Sequence, residues 1–262
     1  MKKMTCNGIT MGYRDDGPPN GPPIVFANSL GTDMRLWDPV LPHLPKNLRI
    51  IRYDMRGHGA SEVPDPPYSM GALVRDAEAL MDALGIRDAL FVGLSIGGLV
   101  AQGLATKRRD VLRGMVLSNT AAKIATKPIW AERIEAIRQG GMEAICEATM
   151  ERWFTRAFRA SPDLDPWRTL FVSMPAQGYI GCADAIAGTD FYTTTAALTL
   201  PTLAIAGSED GATPPDLVRE TQQLIKGSQF QLIRRAGHLP CVEQPVEYAA
   251  VLTRFMEEIG HI

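Results

Sequence analysis

The chain of 262 residues holds little that would support redox or metal chemistry. Its four cysteines, Cys6, Cys146, Cys182 and Cys241, are scattered and form no CxxC pair. That argues for free thiols in a reducing compartment rather than a disulfide framework or a thiolate metal site. Histidine is equally scarce, confined to His43, His58, His238 and His261, and no HExxH motif is present. Neither sign of charge dominates: the net charge is −2, so no basic surface for nucleic acid or an anionic membrane is expected. Long apolar runs are missing too. The most apolar stretch, Ala89 to Ala105, is broken by Ser95, by glycines and by Gln102, which excludes a membrane span. The first residues, "MKKMTCNGITMGYR", carry two lysines but no apolar h-region, so no secretory signal is expected and a cytoplasmic location is. No internal repeat or low-complexity tract is visible.

What is present is an alternation of strands and helices. "MTCNGITMGY" reads as a hairpin about Asn7-Gly8, a dipeptide suited to a two-residue turn. "PPIVFANS" and "LRIIRYD" read as strands, with "DMRLWDPVLPHL" between them as a helix interrupted late by Pro42. "YSMGALVRDAEALMDALG" predicts a helix with Ser69 as N-cap and Gly85 as its stop. "LRGMVLSNT" is a further strand. The rhythm lapses after Asn119 and resumes at "LPTLAIAGSED". There follow a helix capped by Thr213 with Pro214 in its first turn, the strand "SQFQLI" and the helix "VEYAAVLTRFMEEI". Strands alternating with helices imply an α/β fold with a mostly parallel sheet flanked by helices. Residues 1–120 and 196–262 are expected to form the core, and residues 121–195 an inserted helical cap that could lid a pocket.

Within this frame, "FVGLSIGG" (Phe91 to Gly98) sets one hydroxyl, Ser95, between Gly93 and Gly97. An apolar strand precedes it and an apolar helix follows. Glycine fits the cramped flanks of such a turn, so Gly-x-Ser-x-Gly reads as a nucleophile elbow. A packed strand–helix turn with an incidental serine is the bland alternative. Nucleotide loops are disfavoured: Gly-x-Gly-x-x-Gly needs glycine at the place of Ser95, and no Gly-Lys-Ser/Thr end exists.

A serine nucleophile needs a base, and the base needs an orienting group. In an open α/β sheet, functional groups collect past the carboxyl ends of strands. "LAIAGSEDGATPP" puts Asp210 there, with Glu209 as neighbour and rival, and "FQLIRRAGHLP" puts His238 after the next strand. The order Ser, Asp, His is that of the α/β-hydrolase scaffold. Of the other histidines, His261 is terminal and expected to be mobile, and His43 is expected on the surface. His58, in "YDMRGHGAS", is expected to hold its own loop together by hydrogen bonds.

Over nearly its full length the chain resembles the α/β-hydrolases, through "YDMRGHGAS", "GLSIGG", "AGSEDGATPP" and "AGHLPCVEQP". "NSLGTD", "RYDMRGHGASE", "GLSIGGL", "SNTAAKI" and "ERWFT" resemble more narrowly the 3-oxoadipate enol-lactonases, hydrolases of the β-ketoadipate pathway of aromatic degradation. Most relatives carry His-Gly where this chain has Asn28-Ser29. The resemblance implies an oxyanion hole from the backbone N–H groups of Leu30 and Ile96, and acid and base roles for Asp210 and His238.

The implied substrate is an enol-lactone with a free carboxylate arm, opened without metal or organic cofactor. A buried carboxylate needs a partner. In "IWAERIEAIRQGG", Trp130, Arg133, Ile134 and Ile137 share one helical face, with Arg138 toward its flank. Arg133 is the first choice for the anion and Arg138 the second. A solvated arginine with its stem on apolar surface is the bland reading. Trp130 and Trp153 either line the pocket or pack the cap. The competing functions are a carboxylesterase, a hydrolase of C–C bonds in ring-cleavage products, and a non-enzymatic receptor on the same scaffold.

Overall fold

The computed structural model describes residues 1–262. Strand β1 (Lys2–Cys6) turns through Asn7 and Gly8, both at positive φ (49° and 77°), into β2 (Ile9–Asp16). The remaining strands are β3 (Pro23–Ala27), β4 (Arg49–Tyr53), β5 (Ala89–Leu94), β6 (Leu112–Ser118), β7 (Thr202–Gly207) and β8 (Gln229–Ile233). Together they form one sheet in the order β1-β2-β4-β3-β5-β6-β7-β8. β2 alone runs opposite to the other seven strands. Every residue of β5 and of β7 is buried, because parallel strands covered on both faces must be apolar throughout.

Helices α1 (Met70–Ala83), α2 (Ile96–Lys107), α9 (Pro215–Leu224), α10 (Pro240–Glu243) and α11 (Pro245–Glu258) lie outside the β6–β7 connection. Ser69 caps α1, its hydroxyl accepting the N–H of Ala72, and Gly85 follows its end at φ 65°. Between β6 and β7 the chain forms helices α3 (Lys127–Gly140), α4 (Glu143–Trp153), α5 (Arg156–Arg159), α6 (Asp165–Val172), α7 (Ala176–Ala187) and α8 (Tyr192–Ala196), and no strand. No helix is long and apolar enough to cross a membrane, and all four cysteines are free and buried.

Three local expectations need correction. "DMRLWDPVLPHL" is not one interrupted helix but two short 3₁₀ turns, Met34–Trp37 and Leu41–His43. Pro39 and Pro42 each remove a backbone donor, which leaves no run long enough for an α-helix. Helix α9 begins at Pro215 with Pro214 as N-cap, one residue later than expected. Thr213 is not free to cap it, because its N–H and hydroxyl are both turned to Asp210. His261 is not loose. Gly260 turns the chain back at φ 65°, and the imidazole lies 7% exposed with Nε2 3.1 Å from the carbonyl of Pro23. His43 is exposed, as expected.

Candidate active site

The carboxyl ends of β3, β5, β7 and β8 converge on one small cavity. Parallel register brings Ala27 beside Gly93 and Leu94 beside Ser118, so the loops after β3 and β5 open at the same level. Ser95 stands between β5 and α2 at φ 57°, ψ −115°, a conformation that side chains rarely adopt. A Cβ at Gly93 would strike the carbonyl of Gly97, and one at Gly97 would strike that of Ala27. Both glycines are therefore demanded by close backbone approach, and Ser95 is the only side chain the turn presents.

Asp210, in the loop after β7, accepts hydrogen bonds at Oδ1 from the N–H groups of Ala212 (2.7 Å) and Thr213 (3.0 Å). Its Oδ2 accepts from Asn119 Nδ2 (2.8 Å), Thr213 Oγ1 (2.8 Å) and His238 Nδ1 (2.9 Å). Burial pushes this carboxyl up. The histidine beside it and the other donors outweigh burial and hold it below the usual carboxylate range. Glu209 is exposed and its side chain takes no part. The His238 ring is 2% exposed and stacks at 6.5 Å on Trp153, whose carbonyl accepts the His238 N–H at 2.7 Å. With Nδ1–H committed to Asp210, Nε2 faces the cavity as an acceptor.

The cavity measures about 210 Å³ and is lined by Ser95 and His238, by Ser29 and Leu30 from the β3 loop, and by Thr213 from the β7 loop. That is a small volume for a ligand pocket. The stretch from Ile124 to Trp153 supplies Ile124, Ile129, Trp130, Arg133, Arg152 and Trp153, and α7 adds Tyr179 and Ile186. A larger open groove of about 570 Å³ runs between α1, α2 and the end of α7, but contains neither Ser95 nor His238. The Leu30 N–H donates to no protein group. That of Ile96 belongs to the first turn of α2, where helical N–H groups lack an intrahelical acceptor. The Ile96 side chain itself is fully buried and does not line the cavity.

Trp130, Trp153 and Arg133 thus line the cavity, whereas Arg138 does not. Arg138 is exposed and pairs with Glu135 at 3.8 Å on the outer face of α3. In its place stands Arg152, which the sequence reading missed. Arg133 donates to Thr149 Oγ1 at 2.6 Å and lies 5.8 Å from the Trp130 ring and 5.7 Å from that of Tyr179. Its Nε is buried without a partner. Burial, and then the charge of Arg133, hold Arg152 below the ordinary arginine range. No carboxylate lines the cavity to neutralise either.

His58 binds beyond its own loop. Its Nε2 accepts the N–H of Gly31 at 3.0 Å, next to Leu30, and its Nδ1 lies 3.3 Å from the Arg56 carbonyl. Burial lowers its pKa to about 4, so the ring is neutral. Asn28 braces the same turn: Nδ2 donates to the Tyr53 carbonyl (2.9 Å), and Oδ1 accepts from Trp37 Nε1 (2.8 Å).

Residues 22–245 match the family described as the alpha/beta hydrolase fold. The chain belongs to that family. It is 36% identical over 254 residues to 3-oxoadipate enol-lactonase 1 of Acinetobacter baylyi, covering 96% of this chain and 95% of that protein. The crystal structure of an enol-lactonase from Burkholderia xenovorans LB400 superposes with a TM-score of 0.94 at 36% identity, over 98% of this chain and 100% of that one. A thermophilic esterase from Thermogutta terrifontis, solved with malate bound, gives a TM-score of 0.92 at 28% identity over 99% of both chains.

Proposed function

We propose that the protein opens the ring of 3-oxoadipate enol-lactone by nucleophilic attack of Ser95, with His238 as general base and Asp210 as the group that orients it. The observation that carries this reading is the arginine pair. Two guanidinium groups share a small apolar cavity with Ser95 and His238, and no carboxylate there answers them. Uncompensated charge in such a place calls for an anionic ligand. A lactone with a carboxylate arm supplies one, and the enol-lactonases named above are the relatives that support this choice.

In this reading His238 Nε2 takes the proton of Ser95 as its oxygen attacks the ring carbonyl. The N–H groups of Leu30 and Ile96 stabilise the resulting oxyanion; losing one such donor typically costs about 10²–10³ in rate. The ring C–O bond then breaks, its electron pair leaves on the enol oxygen, and that oxygen takes up the proton held at His238, which returns to its neutral form. Water activated by His238 releases the acyl group, and the enol becomes a ketone. Arg133 and Arg152 hold the carboxylate arm through Arg-type charge-assisted hydrogen bonds. We further propose that residues 121–195 act as the lid that brings both arginines to residues 1–120 and 196–262.

The test is turnover of the enol-lactone against p-nitrophenyl acetate by the purified protein. The lactone should be strongly preferred in kcat/KM. Hydrolysis of simple esters alone would identify a carboxylesterase, and no turnover of either would identify a binding protein. A fluorophosphonate should label the segment from Phe91 to Lys107, and labelling elsewhere would remove Ser95 from its role.

A further inference from the structure

Ser29 stands in the turn after β3, where its hydroxyl lies 3.5 Å from His238 Nε2. The residue is 1% exposed, yet it borders the same cavity as Ser95. Its backbone is held firmly: the Ser29 carbonyl accepts from the Thr32 N–H (3.2 Å) and from Thr32 Oγ1 (2.8 Å), behind the anchor of Asn28. The hydroxyl has no other side-chain partner than His238. At 3.5 Å the contact is long, as catalytic hydrogen bonds often are before substrate is bound.

A hydroxyl can both donate and accept. With Nδ1 held by Asp210, the bare Nε2 can accept from Ser29 O–H in the resting site, and that lone pair turns to Ser95 for the attack. Once Nε2 has taken the Ser95 proton it becomes the donor, and Ser29 Oγ turns to accept from it. Its own proton is then free to face the cavity. We propose that Ser29 is a catalytic hydroxyl that delivers the proton to the departing ring oxygen. The ring C–O bond breaks and its electron pair goes to that oxygen. Ser29 gives its proton there and takes the proton on Nε2, so that Ser29 and His238 both return to their starting forms.

A lactone gives this step a purpose. The oxygen expelled from a ring stays tethered to the acyl group and remains at high effective concentration beside the carbonyl. Unless it is protonated, it closes the ring again. A second hydroxyl at Nε2 therefore matters where the leaving oxygen cannot diffuse away, and its effect grows with the basicity of that oxygen, so an alkoxide reveals it more strongly than an enolate.

This inference rests on Ser95 and His238 acting as nucleophile and base, but not on which lactone is the natural substrate. Its test compares Ser29→Ala with the wild type on two acetates, ethyl acetate and p-nitrophenyl acetate. Both give the same acyl-enzyme, and kcat/KM reports only the steps up to it. Ethoxide is a basic leaving group that needs a proton, whereas p-nitrophenolate does not. Ser29→Ala should lose at least about tenfold more on ethyl acetate than on the aryl ester. Losses equal within error on the two esters, or a larger loss on the aryl ester, would show that Ser29 only packs the turn. Ser95→Ala in the same assays separates the two failures. If it keeps ester turnover, the nucleophile has been misassigned and the Ser29 step falls with it.

Discussion

At the residue scale, the side chains that matter most around Asp210 are those with no chemistry of their own. Asn119 and Thr213 donate to the carboxylate beside His238 Nδ1, and after the histidine they help to keep it ionised in a dry place. Asp210→Asn should lower kcat by about 10³–10⁴, because an amide turned to Nδ1 holds the imidazole in the wrong tautomer. Glu209→Gln should leave kcat near that of the wild type. The opposite ranking in parallel kinetics would mean that the acid is the neighbour. Asn119→Ala should fall between the two, since it removes one donor and leaves the charge. That Ser95, Asp210 and His238 lie past strand ends was legible, because the apolar pattern locates those ends. Asn119 was not: it lies in "SNTAAKI" after β6, but nothing in that stretch names a partner, and only the closing of the sheet puts it opposite Asp210, ninety-one residues on. Thr213 was misread for a related reason. Thr before Pro is a good helix-start signal, and a tertiary acceptor overrode it.

At the level of elements, the contrast between α3 and α4 explains which arginine meets the cavity. Five residues separate Arg133 from Arg138, about 140° around an α-helix, enough to carry a side chain from the cavity face to solvent. Helical spacing could place Arg133 with Trp130, and did. It could not reveal that α4 would lie alongside and add Arg152 from its last turn, because contact between helices is not written in either helix's period. Arg133→Met and Arg152→Met should each reduce kcat/KM for the lactone by roughly 10- to 150-fold, the worth of a charge-assisted hydrogen bond. A neutral ester has no anion to hold, so the loss on it should be much smaller. Methionine keeps an apolar stem, which separates lost charge from lost packing. Similar losses on both substrates would reduce the arginines to supports for the helices that carry them. Arg138→Met should change neither rate, since its side chain lies in solvent beside Glu135.

On the scale of the whole molecule, one neutral histidine ties the loop after β4 to the turn after β3, and its cost depends on pH. The unfolded chain takes up a proton on His58 near its ordinary value of 6.5, whereas the folded site resists protonation until about pH 4. The folded pKa is therefore the lower one. Stability from this residue is complete above pH 6.5 and is lost as the pH falls toward 4, by about 3 kcal/mol over the whole window. The Cys182 thiol, 3.9 Å from Nδ1, remains protonated throughout, because burial raises its pKa. Asp54 opposes the trend. Burial raises its carboxyl from 3.8 to about 6, so this residue favours the fold as the pH falls through the same range. The wild-type profile alone would mix the two, and the variant must be compared with it. In His58→Gln the amide oxygen can still accept the Gly31 N–H, but nothing titrates. Urea unfolding at several pH values between 7.5 and 4.5 should show a shallower acid loss for His58→Gln than for the wild type, whatever the variant's stability at pH 7.5. Parallel profiles would mean that His58 is protonated in the folded protein as easily as in the unfolded one.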